Sequence, residues 1–383
     1  MGQEDIFFAI LRSIIWGTSQ KIPSNVDWQG VLNLAARQKC LHAFSVWAKV
    51  NHIQTPYDKH LNTNVLRLLA RHARLNQLTA DVINLLAQHN IPATLIKGYS
   101  IAKLYPDPDM RDFGDVDIYV GEEHYHRAAE LVTATFHDAH WHSDIRGGIH
   151  YILVLDENMD RVVELHRVTM EFYDKKANAL YQEFTHKHLC NTHPNVDING
   201  TCIAVPSAAY NALYVFMHAW HHFASTGVGF RQLADWALSL HHAHKQLSAN
   251  EWQKLCNEIN HILSALHMIT AWQIFGYVVV QHLGLPAKQM PLYNDYHKKG
   301  ADRLLKQLLR DGHGGRPSNF SLKDIVLMRS FPWKRPKKHR WLQLCYTVTR
   351  ILFETCQMAK FFPSLAWYQL ISTWRHSANK YNN

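Results

Sequence analysis

Gly114-Asp115-Val116-Asp117-Ile118-Tyr119-Val120 is the stretch whose reading decides the fold. Val116, Ile118 and Val120 alternate with Asp115, Asp117 and Tyr119, and a period of two is that of a half-buried strand. Side chains at i and i+2 share a face. Asp115 and Asp117 therefore project together while Val116 and Ile118 anchor the other side. Two carboxylates side by side repel unless something neutralises them. A divalent cation does so, and hard magnesium prefers oxygen ligands.

Upstream, Ile91-Pro92-Ala93-Thr94-Leu95-Ile96 is a short apolar run ending at Lys97-Gly98, which reads as a buried strand and a turn. A short helix is expected through Leu104, then a polar loop from Tyr105 to Gly114. Downstream, Glu122 to Ala134 reads as a helix. Ile149 to Leu155 and Arg161 to Leu165 read as strands, joined by the turn at Asp156-Glu157-Asn158-Met159-Asp160. Apolar residues recur at three- and four-residue steps from Val31 to Trp47 and from Leu66 to Leu86, so residues 1–90 read as helical. From Pro206 onward the chain reads as helical again, interrupted by the loop Gly312-His313-Gly314-Gly315-Arg316-Pro317. Its most apolar run, Ala265 to Val280, is short for a membrane span and carries His267, Thr270 and Gln273, so a buried helix is expected there. The expected fold is α+β. A small mixed sheet with helices (91–200) lies between an N-terminal helical segment (1–90) and a large C-terminal helical domain (201–383).

A second strand offers a third carboxylate. In Val162-Val163-Glu164-Leu165-His166, Glu164 and His166 share one face, opposite Val163 and Leu165. Paired with the first strand, it would assemble Asp115, Asp117 and Glu164 into a cluster able to hold two metals about 3.5–4 Å apart. Such a pair suits phosphoryl or nucleotidyl transfer. A triphosphate also needs donors. Lys97 and Gly98 stand at a strand-to-helix turn, where backbone N–H groups attract phosphate and Lys97 or Ser100 adds to them. Arg111, four residues before Asp115, is placed to reach the same anion. An Asp-x-Asp alone is often a solvated turn; its combination with the Lys-Gly turn, the arginine and the later glutamate singles this one out.

Composition bounds the rest. The chain has 383 residues, 47% hydrophobic and 19% charged, which allows a packed core and speaks against wholesale disorder. Six cysteines are scattered with no CxxC pair, which supports neither a disulfide framework nor a zinc ribbon. The acidic start Met1-Gly2-Gln3-Glu4-Asp5 is unlike a signal peptide, and Ile6 breaks the myristoylation pattern. The expected setting is cytoplasmic, with no membrane span. A formal charge of +9 and a pI near 9.1 favour a polyanionic partner. His218, His221 and His222 stand at i, i+3 and i+4, which fits a polar face or cleft lining and, less simply, a zinc or nickel site. His166, His218, Arg231 and Asp235 are candidates for holding nucleotide or acceptor, with an Arg231–Asp235 pair across one turn as the plainer reading. The basic run Trp333-Lys334-Arg335-Pro336-Lys337-Lys338-His339-Arg340-Trp341 reads first as a solvated loop. Residues 334–340 also suit contact with a nucleic-acid backbone or an acidic membrane surface.

Leu95-Ile96-Lys97-Gly98-Tyr99-Ser100, Tyr105-Pro106-Asp107-Pro108, Arg111 and Gly114-Asp115-Val116-Asp117-Ile118-Tyr119-Val120 resemble the signature of the uncharacterised bacterial nucleotidyltransferase family, within the polymerase-beta-like superfamily. Val163-Glu164-Leu165-His166 and Gly229-Phe230-Arg231-Gln232-Leu233-Ala234-Asp235-Trp236 are similar to it as well. The resemblance runs over roughly residues 25–245. It implies a small mixed sheet whose first helix begins at the glycine motif, with metal-binding roles for Asp115, Asp117 and Glu164. One departure is Tyr99, where the superfamily has Gly or Ser directly after the motif glycine; this leaves open which hydroxyl touches phosphate. The implied activity moves a nucleoside monophosphate from an NTP, such as ATP, to a small-molecule, peptide or RNA acceptor, using magnesium or manganese. A nucleotide-binding protein without catalysis, or a nucleic-acid-associated protein using the basic run, remain the alternatives.

Overall fold

The structure is a computed structural model. It describes residues 2–20, 22–136, 140–143, 150–154, 161–190, 194–313, 355, 358–359 and 361–381. The basic run 334–340, most of the 312–317 loop and the 156–160 turn lie outside these residues.

Four helices open the chain: α1 (Gln3–Trp16), α2 (Trp28–Arg37), α3 (Leu41–Val50) and α4 (Asp58–Gln88). The Asp27 carboxylate caps α2 by accepting from Gly30 N–H, and Gly17 ends α1 in the left-handed region at φ 65°. The periodic run from Val31 to Trp47 is two helices rather than one, because Lys39 at φ 56° turns the backbone between them. The sheet follows: β1 (Thr94–Leu95), β2 (Val116–Tyr119), β3 (His140–Ser143), β4 (His150–Val154), β5 (Val162–His166), β6 (Asn195–Ile198) and β7 (Thr201–Ala204). Among these are α5 (Tyr99–Ala102), α6 (Gly121–Thr135) and α7 (Lys175–Thr185). The remaining described helices are α8 (Ala208–Ser225), α9 (Phe230–Gln246), α10 (Ala249–Ala265), α11 (Ile269–Val278), α12 (Lys298–Asp311) and α13 (Pro363–Tyr381).

The fold is α+β, around a mixed sheet ordered β3-β4-β5-β2-β1-β7-β6. β2 runs parallel to β5, and β1 runs parallel to β7; the other pairs are antiparallel. The expected strand at 91–96 is paired only over Thr94–Leu95, since Pro92 lacks the N–H a ladder needs. The β6–β7 hairpin turns at Asn199-Gly200, both at positive φ (53° and 79°), as a two-residue primed turn demands. The apolar run 265–280 is broken after α10, where His267 adopts φ 56°, and resumes as α11.

Two apolar clusters organise the packing. One lies on the sheet, where Val116, Ile118, Val163 and Leu165 meet α6 and the C-terminal half of α4. The other joins α1–α3 with α8–α12, so helices from both ends of the chain share one core. α4 belongs to both: Leu61, Val65 and Leu68 pack in the helical cluster, Leu75, Leu78 and Val82 in the sheet cluster. At ~1.5 Å per residue its 31 residues span about 46 Å, enough to link the two. The Lys97-Gly98 turn lies on the same seam, since Leu95 belongs to the sheet cluster and Ile96 and Ile101 to the helical one.

Candidate active site

The register of the parallel pair assembles the site. Asp117 sits opposite Glu164, and Tyr119 opposite His166. Val116 and Ile118 face the sheet cluster, which sends Asp117 to the seam, where its side chain is fully buried. Its Oδ1 accepts from Lys97 Nζ at 2.5 Å and from His166 Nε2 at 3.0 Å. His166 Nε2 also lies 3.5 Å from Glu164 Oε2. Asp117, Glu164 and His166 each offer a ligand atom within 4.8 Å of the others. Asp117 Oδ2 is buried with no hydrogen-bond partner.

The charges respond to this crowding. Asp115 precedes the strand, half-buried, and its carboxyl is pushed up first by the negative charge of Asp117 and then by burial; Lys97, Arg231 and Arg111 pull the other way. Burial opposes the charge on Glu164, yet the His166 hydrogen bond and Lys97 outweigh it and hold the carboxyl at about 2. Burial also opposes the charges on Lys97 and His166. The carboxylates overcome it, keeping Lys97 well above and His166 above their ordinary values.

The glycine turn is held by a second buried charge. Gly98 adopts φ 61°, ψ −124°, a conformation open essentially to glycine alone. Its carbonyl accepts from Arg111 Nη1 at 3.0 Å. The rest of the Arg111 guanidinium grips Asp235, Nε to Oδ1 at 2.8 Å and Nη2 to Oδ2 at 2.9 Å, and Tyr105 donates to the same Oδ1 at 2.8 Å. The arginine expected at the triphosphate is thus buried and committed. The expected Arg231–Asp235 pair across one turn does not form, because Arg111 and Tyr105 take both Asp235 oxygens. Arg231, half-buried, donates instead to the Asp112 carbonyl at 2.9 Å. Ser100 is buried and donates to the Lys97 carbonyl at 3.1 Å.

The sequence of residues 24–273 matches the model of the uncharacterised nucleotidyltransferase family, well over half of the chain. The chain belongs to that family. Among solved structures, an antigenic nucleotidyltransferase-like protein from Paracoccidioides brasiliensis is similar at 16% identity, over 51% of this chain and 90% of that one, with a TM-score of 0.33. No curated protein matches the sequence.

In this nucleotidyltransferase, the donor set fits a hard divalent cation. Two carboxylates converge, and one oxygen of the buried Asp117 lacks any partner, although buried polar atoms nearly always have one. His166 spends its Nε2 on these carboxylates rather than facing an acceptor. His218 stands on α8 with Tyr214 before it and His222 after it, at helical spacing on one stripe. Two contributors were not singled out in the sequence. Tyr214 was legible in the i, i+4, i+8 stripe with His218 and His222. Gln38, fully buried, carries no local signal; its Oε1 accepts Phe230 N–H at 3.2 Å and its Nε2 donates to the Leu308 carbonyl at 2.7 Å, fixing the start of α9 and with it Arg231. No helix among the described residues is long and apolar enough to cross a membrane.

Proposed function

We propose that this nucleotidyltransferase moves a nucleoside monophosphate from an NTP to the hydroxyl of an acceptor, with release of pyrophosphate. The observation that carries the reading is Asp117: a fully buried carboxylate, at the family's signature strand, with one oxygen unpartnered beside Glu164. Asp115, Asp117 and Glu164 would hold magnesium or manganese. When bound, the metal neutralises the triphosphate and the charge that builds on the departing pyrophosphate. Glu164, ionised down to about pH 2, binds rather than shuttles protons. Asp115, whose carboxyl is raised by the charge of Asp117 and by burial, would be returned to its charged form as the cation binds.

Lys97 and the Gly98 turn would meet the phosphates, with Ser100 behind them. Arg111 holds the turn in shape from below, and Arg231 replaces it as the arginine facing the anion. α8 and α9, which carry His218 and Arg231, would select the acceptor. The proposed setting is the cytoplasm of a bacterial cell, where NTPs and magnesium are both available. The test is pyrophosphate release from each NTP with magnesium or manganese and pooled small-molecule, peptide and RNA acceptors. Release is expected from the native protein and not from Asp117→Asn. Equal release by both would remove the metal assignment.

A further inference from the structure

α8 presents a feature that nucleotidyl transfer by the carboxylates does not use. His218 and His222 stand four residues apart, half-buried, with their Nε2 atoms 3.1 Å from each other. His222 Nδ1 is anchored at 3.2 Å from Thr226 Oγ1, which fixes the ring. The His313 ring lies 5.4 Å from that of His222, and its Nδ1 is 3.1 Å from Gln232 Oε1. Tyr214 closes the inner end, 6.2 Å from His218 ring to ring.

The charges acting on this pair are nearly all of one sign. His218 feels burial, then Lys97, His222, His221 and Arg231. His222 feels burial, then His313, His221, Lys97 and Arg231, and is held at about 3. Both imidazoles are therefore neutral at pH 7. The Arg231 guanidinium makes a single hydrogen bond, to the Asp112 backbone carbonyl, and has no carboxylate partner among the described residues. The Arg231 cation does not explain itself as structure: a guanidinium without a carboxylate counter-ion among the described residues, near imidazoles kept from protonating, is a wall that awaits an anion. Its long-range reach includes Asp115, so the wall borders the carboxylate site.

We infer that His218, His222 and Arg231 form a proton-coupled clamp for a phosphate group, the histidine pair taking a proton from solvent as the anion arrives. The inference rests on the nucleotidyl-transfer reading only for the source of the phosphate: the NTP tail or a phosphorylated acceptor. Arg231 supplies the fixed charge. The proton shared across the 3.1 Å Nε2 contact supplies the second, and the bound anion offsets the repulsion from Lys97 and Arg231 that keeps the pair neutral when the cleft is empty. No proton leaves the pair until the anion does.

The experiment is calorimetric titration with inorganic pyrophosphate, without metal, in buffers of differing ionisation enthalpy between pH 5 and 8. Native protein is compared with His218→Gln/His222→Gln, so that protonation of the probe itself cancels. Native protein is expected to take up extra protons, approaching one per anion, with affinity falling up to about tenfold per pH unit relative to the variant. Identical proton uptake and pH profile in the two would overturn the clamp. Should the double variant fail to fold, Arg231→Gln, which gives up one hydrogen bond, carries the test: binding at least about tenfold weaker is expected, and unchanged binding overturns the proposal. A non-hydrolysable NTP analogue separates the sources. Extra proton uptake with the analogue assigns the clamp to the triphosphate. Pyrophosphate still binding with proton uptake to the analogue complex assigns it to the acceptor. Loss of pyrophosphate release with the clamp intact would count against the transfer reading alone, and the converse against the clamp alone.

Discussion

Asp117 and Asp235 are both buried carboxylates facing a buried cation, and they are finished differently. Asp235 has every strong position filled, by Arg111 on both oxygens and Tyr105 on one. Asp117 has Lys97 and His166 crowded on Oδ1 and nothing on Oδ2. A buried charge matched on both oxygens is a strut. One left half-matched costs stability that only a further ligand can recover. The same amide substitution therefore separates the two roles.

The largest effect is expected on activity, at Asp117→Asn. Pyrophosphate release should fall by more than the ~10–100-fold that follows loss of an outer-shell metal partner. The new amide can point its NH2 toward the empty Oδ2 position, and Glu164 and Asp115 remain as negative charges near Lys97, so the fold should suffer less than at Asp235. Thermal unfolding and release assays on the same preparation check both halves. Near-native release with a collapsed melting temperature would reverse the assignment.

Asp235→Asn should act the other way. Either amide orientation faces a donor with a donor, Arg111 Nη2 in one and the Arg111 Nε and Tyr105 pair in the other, and leaves the Arg111 charge buried. The loss of stability is expected to be on the order of 3 kcal/mol, read from denaturant unfolding. Activity should follow only as far as the Gly98 turn loosens, because Arg111 Nη1 also holds that carbonyl. A variant as stable as the native protein would mean that Arg111 finds another partner.

The two aspartates were not equally legible in the sequence. Asp117 lies in an alternating strand beside Asp115, and that local pattern, with Glu164 on a strand of the same alternation, offered the carboxylates and the condition that their strands pair; that the pairing is parallel came from the structure. Asp235 lies mid-helix, and its partner is 124 residues away. Helical spacing offered Arg231 as a neighbour, and only the tertiary packing of α9 against the 105–111 loop hands it to Arg111 instead. The short β1 follows from Pro92, which the apolar run concealed. The β6–β7 hairpin was not read from the sequence, although its Asn199-Gly200 pair is the chemistry of a primed turn. The shared core of the two ends of the chain left no mark in sequence, since an apolar helix face does not name its partner.

A smaller effect sharpens the link between strut and site. Gly98→Ala places a side chain at φ 61°, ψ −124°, at a cost of roughly 1–3 kcal/mol. The added Cβ meets nothing closer than the Asp115 carbonyl at 3.6 Å, so backbone strain rather than collision drives the change. The strain is expected to relax by moving Lys97 off Asp117, and release should fall more than stability does. If stability falls while the KM for NTP and the rate are both kept, the turn does not position Lys97.

The smallest effect concerns Ser100, whose hydroxyl is already spent on the Lys97 carbonyl. A donor that closes a turn loses about 1 kcal/mol when removed, and a donor that grips phosphate shows itself in the KM for NTP instead. Ser100→Ala should therefore lower stability by about that amount and leave KM within roughly threefold, a free-energy change well under 1 kcal/mol. A rise in KM beyond tenfold with unfolding unchanged would mean that the hydroxyl turns toward the triphosphate when nucleotide binds. It would then be Ser100, rather than Tyr99 beside the motif glycine, whose hydroxyl meets the phosphate.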